Sequence, residues 1–76
     1  MEIKKPETKT EERLIGILKD KIMDDAQYIN GVICLLETDD ERQDMIDEIT
    51  EGNVVTSDDV ILFALQIDEE RGQNDV

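Results

Sequence analysis

Asp40, Asp44, Asp47 and Glu51 fall at i, i+4, i+7 and i+11, one face of a helix, with Glu41 and Glu48 flanking them. Successive carboxylates would then lie about 5–6 Å apart along a rigid rod. Like charges at this spacing repel by a few tenths of a kcal/mol per pair, and a solvated helix usually mixes signs instead. The chemistry such a row can do is electrostatic docking. It presents fixed negative charge to the Lys and Arg of a basic surface, broadly as a phosphate strand does. The plainer reading is a solubilising face.

Covalent chemistry has little to work with. The chain has no His, so the usual general base is missing, and no Cys₂His₂ zinc site can form. Cys34 is the only cysteine. It sits in an apolar run, where a thiol is expected to be inert packing, and it has no disulfide partner. Paired carboxylates are plentiful, but a chain of 76 residues has little room for a hydrolytic cleft. The loop between Gly52 and Asp59 is too short for an EF-hand and offers few side-chain oxygens at Asn53-Val54-Val55. We expect no enzyme activity, cofactor or metal.

The charge is unevenly spread. Residues 1–23 carry six bases and five acids, whereas residues 24–76 carry 16 acids and two bases, Arg42 and Arg71. The whole chain is at −13. A helix-turn-helix reader of DNA is therefore not expected, because affinity for DNA comes mainly from basic groups on phosphates. The helix that would have to read DNA begins with Asp58-Asp59. No direct nucleic-acid binding is expected. No early apolar segment resembles a signal peptide, and no run is long enough for a membrane span. With the lone thiol, this gives a cytoplasmic expectation and no membrane partner.

Four helices must position these groups. Thr8-Lys9-Thr10-Glu11 fits a capping box, and Leu14, Ile15, Leu18 and Ile22 follow at helical spacing, giving a helix over about 9–23. Asp24 or Asp25 can cap a second over about 25–37, in which Ile29, Val32, Ile33 and Leu36 share a face. Its rival is a hairpin turning at Asn30-Gly31. The flanks do not alternate and no third strand supports such a hairpin, which favours the helix. Thr38 to Glu41 opens a third helix over 39–51, with Met45, Ile46 and Ile49 inward, the Arg42 stem beside them, and Gly52 as its stop. Thr56 or Ser57 caps a fourth, about 57–71, ended by Gly72.

Val60 to Ile67 is the longest nearly continuous apolar run. Its apolar positions cover most of the helical circumference, so the fourth helix is expected to be central and the most buried. The links are short, so consecutive helices are expected to pack together. The fold class is all-α, one small domain over 8–72. A flexible charged arm is expected over 1–7 and a loose tail over 73–76.

No diagnostic motif assigns the chain to a family. In shortness, acidity, helicity and lack of a catalytic constellation it is similar to small regulatory or inhibitory proteins of bacteria and phages. Anti-restriction and anti-CRISPR DNA mimics are among them. That resemblance is one of style over the whole chain, with no residue-by-residue match, and implies an inhibitor docking on the basic surface of a nucleic-acid-handling protein. The helical spacing of the acids makes Asp40, Glu41, Asp44, Asp47, Glu48 and Glu51 the expected docking face. The alternative is a structural or adaptor module, for example a homodimer. It would use apolar residues left off the main stripes (Ile17, Leu35, Leu62), with the acids serving only solubility.

Overall fold

Thr8, Asp25, Thr38 and Thr56 each stand just before a helix. In the computed structural model, which describes residues 2–74, the side-chain oxygen of each accepts a first-turn amide. These caps satisfy donors that a helix start leaves unpaired. The helices are α1 (Lys9–Lys21), α2 (Ala26–Leu35), α3 (Asp39–Thr50) and α4 (Ser57–Asn74). Among the described residues there is no strand. The all-α single domain expected from sequence is therefore the fold. Its Cα radius of gyration, 11.6 Å, matches the roughly 11.4 Å of a packed chain this long.

The local signals worked in detail at α3. Thr38 and Glu41 form the reciprocal capping box. At the other end Gly52 takes φ 84°, which L side chains resist, and Asn53 N–H reaches back to the Glu48 carbonyl at 3.0 Å. That turn directs Val54 into the core. At α1 the box is incomplete. Thr8 caps Glu11, but the Glu11 carboxylate accepts from Glu7 N–H at 2.7 Å rather than from Thr8.

The Asn30-Gly31 hairpin does not form. Both residues lie inside α2, because Ile29, Val32, Ile33 and Leu36 bury together only on a helix. Asn30 has a different task. Its side chain accepts from Lys4 N–H at 2.6 Å and donates to the Glu2 carbonyl at 2.9 Å. Ile3 packs against the core beside it. The segment expected as a flexible arm is thus docked on α2 over residues 2–4, because Ile3 finds apolar surface there.

Each helix packs on two others: α1 on α3 and α2, and α4 on α2 and α3. The consecutive pair α2 and α3 is not among the main contacts, against the expectation that sequence neighbours pack. Leu36 and Thr38 between them are both in extended backbone, which carries the chain across the domain instead of folding it back. The core is aliphatic: Leu14, Leu18, Ile29, Ile33, Leu36, Met45 and Val60 are fully covered.

The expectation that α4 is central and most buried is corrected. Among the described side chains of α4 only Val60 and Ala64 are buried, while Ile61, Phe63 and Ile67 are half-buried. Leu62 is 65% exposed and Leu65 47%. An apolar circumference buries only where neighbours exist, and α4 has neighbours on one side. Of the three surplus apolar residues, Ile17 and Leu35 pack against the core and Leu62 does not. Helix α4 also continues through Gly72 to Asn74, so the expected tail begins in helix; residues 75–76 of it lie outside the described residues.

Candidate functional site

The outer face of α3 is set by its inner face. Met45, Ile46 and Ile49 are buried, which fixes the rotation of the helix and turns Asp40, Asp44, Asp47 and Glu51 to solvent. All four are exposed; Glu48 and Glu41 are half-buried at the edges. Among the described residues Asp40 and Asp44 make no side-chain hydrogen bond. Asp47 accepts from Gln43 at 3.0 Å and Glu51 from Asn53 at 3.4 Å, both neutral donors.

The two bases of the acidic segment are used elsewhere. Arg42 lies along α3 with its guanidinium on Asp39 at 2.8 Å. Thr8 also donates to Asp39 at 2.8 Å, joining the starts of α1 and α3. Together the Thr8 hydroxyl and then Arg42 hold the Asp39 carboxyl below its ordinary value. Arg71 is the larger hub. It reaches Glu41 through two nitrogens, both at 3.1 Å, the Leu35 carbonyl at 2.6 Å, Asp68 at 3.0 Å and Glu37 at 3.2 Å. One guanidinium so ties α4 to the end of α2 and the start of α3. None of these ion pairs touches Asp40, Asp44, Asp47, Glu48 or Glu51.

Glu41 therefore differs from its neighbours. Besides Arg71 its carboxylate accepts the amides of Glu37 and Thr38. Burial alone would raise its pKa, but the Arg71 hydrogen bonds and the two amides outweigh that and hold it below the usual 4.5. It works inside the fold and is not free to dock. Sequence spacing missed Glu70, which shares a shallow depression of about 270 Å³ with Asp44, Glu41 and Arg71. Glu70 extends the acidic face onto α4. Only the packing of α3 on α4 reveals it, since no sequence spacing joins residues 44 and 70.

No family model matches the chain, and no curated protein or solved structure matches it. Among the described residues no His, Cys, Asp and Glu side chains group as a metal would require, and no helix is long and apolar enough to cross a membrane.

Cys34 is corrected. It is exposed on the outer side of α2, not buried packing. The apolar run around it misled, because a helix turns one residue in such a run outward. We expect native Cys34 to react with a disulfide reagent such as Ellman's at a rate close to that in urea. A rate slowed by about a hundredfold or more would place the thiol behind a protected, locally opening structure.

Proposed function

We propose that this chain is a non-enzymatic protein-binding module. It docks on the basic, nucleic-acid-binding surface of another protein through the outer face of α3, as a mimic of nucleic acid. One observation carries the reading. Asp40, Asp44, Asp47 and Glu51 are exposed in a row that, among the described residues, no basic side chain pairs with. In an acidic segment with only two bases, both are tied to other carboxylates, so the row meets a partner with its charge intact. Glu70 adds to it from α4.

Binding of this kind weakens steeply with salt and competes with DNA for the partner. The test is capture of the partner at low salt, elution in a salt gradient, and competition with duplex DNA. It is run beside a variant carrying Asp40→Asn, Asp44→Asn, Asp47→Asn and Glu51→Gln. The variant should lose affinity by about a hundredfold and show a flatter salt dependence. It should also unfold at a slightly higher urea concentration, because like-charge repulsion along α3 is relieved. Unchanged capture by the variant would end this reading.

A further inference from the structure

A second surface lies away from the carboxylate row. Helices α2 and α4 pack against each other, and between α2 and Ile61 near the start of α4 is an open groove of about 400 Å³. It is lined by Gln27, Tyr28, Gly31, Val32, Leu35 and Ile61. No charged residue occurs in 26–36 or in 60–67, so the floor and walls carry no charge. Leu65 lies one helical turn beyond Ile61 and is about half exposed, and Leu62 stands next to Ile61, largely bare.

The ends of these two helices are acidic. Asp24 and Asp25 precede α2, Asp58 opens α4, and Asp68 and Glu69 follow its apolar stretch; all five are exposed, and of them Asp68 is paired with Arg71. Arg71, the one base on either helix, is held by Glu41 and its neighbours. The groove is thus an uncharged apolar strip between helix ends that are mainly acidic; Lys19 and Lys21 adjoin Asp24 at one end, and Arg71 is held by carboxylates at the other.

We propose that this groove receives an amphipathic helix of a partner protein, with its apolar side in the groove and Lys or Arg flanking that side. Charge complementarity selects this occupant. A second copy of the chain would bring the same acidic ends to the same place, whereas flanking bases meet them. The inference shares with the proposed function only the basic character of the partner; the face is different, and each can fail alone.

Gly31 provides the test. It lies in the groove wall, and a Cβ added there meets no atom within 4 Å. Gly31→Gln therefore projects a side chain into the groove while removing a poor helix former, so loss of folding cannot explain lost binding. The probe is a fluorescent amphipathic peptide of leucine and lysine, compared with a scrambled peptide of the same composition. Anisotropy measures affinity, amide shifts map contacts, and sedimentation gives the oligomeric state.

The ordered peptide should bind at least about tenfold more tightly than the scrambled one, with shifts at Tyr28 and Leu62. Gly31→Gln should weaken it by about tenfold or more, and the α3-neutralised variant by no more than about threefold. Equal binding of both peptides, or unchanged binding to Gly31→Gln, overturns the proposal. So does a dimer that buries Tyr28 and Leu62. Binding lost only in the α3-neutralised variant overturns the groove while leaving the carboxylate row standing.

Discussion

Leu18→Ala should remove about 3 kcal/mol of stability, while Leu62→Ala should change it by no more than about 0.5 kcal/mol. Both residues are leucines within apolar helical stretches; Leu18 lies on the main stripe of its helix, whereas Leu62 lies off the stripe of the longest apolar run. The structure separates them. Leu18 has no exposed surface, whereas Leu62 is 65% exposed. Truncating Leu18 loses the transfer free energy of the deleted atoms and leaves a cavity that neighbours fill only in part. A domain of this length has about 4–11 kcal/mol in total. Leu18→Ala should therefore lower Tm by roughly 12–24 °C. Urea unfolding with unchanged m-value checks it. Equal losses at the two sites would restore the view that α4 is buried all round.

Glu41→Ala should cost about 2 kcal/mol, well above any single change in the exposed row. It removes the shared partner of Arg71 and of the Glu37 and Thr38 amides, so a guanidinium and two helix-start donors lose their acceptor. Arg71→Lys should also destabilise, because one ammonium cannot reach Glu41 in two places and the Leu35 carbonyl together. The Glu41 carboxyl has a folded pKa below its ordinary 4.5. Folding thus favours its charged form. Its contribution is whole above about 4.5 and disappears as pH falls through the lower folded value.

Asp39 and Asp59 act with the same sign. The Thr8 hydroxyl and Arg42 lower the first, and the Val55 and Thr56 amides lower the second. Acidification also relieves the repulsion of a chain at −13, which works the other way. The measurement therefore belongs at about 0.5 M salt, where repulsion between exposed charges is screened within a few Å. There the protein should lose stability as pH falls below the ordinary 4.5 of Glu41 and on through its lower folded value. Glu41→Gln should show a flatter profile. A wild-type stability that rises on acidification at high salt would refute this account.

What sequence determined about this protein is its set of helices. A cap is a local bond: Thr38 and Glu41 are three residues apart, so their box is legible in the sequence. Periodicity is also local, and it correctly fixed which side of α3 is buried and so which carboxylates face water. Even the Asn30-Gly31 signal yielded to it, because Ile29, Val32 and Ile33 of α2 and Leu36 at its C-cap share one side only in a helix.

Tertiary structure alone decided which elements meet. Burial depends on neighbours, and a helical wheel contains none. Val60 to Ile67 was apolar enough to be the centre, yet α4 has other helices on one side only, so Leu62 and Leu65 remain exposed. The bond of Arg71 to Glu41 spans 30 residues, and the clamp of Asn30 on Lys4 spans 26. No spacing rule reaches so far. The carboxylate row was legible because one helix carries it, while the α2–α4 groove and the place of Glu70 beside Asp44 exist only once helices distant in sequence have packed together.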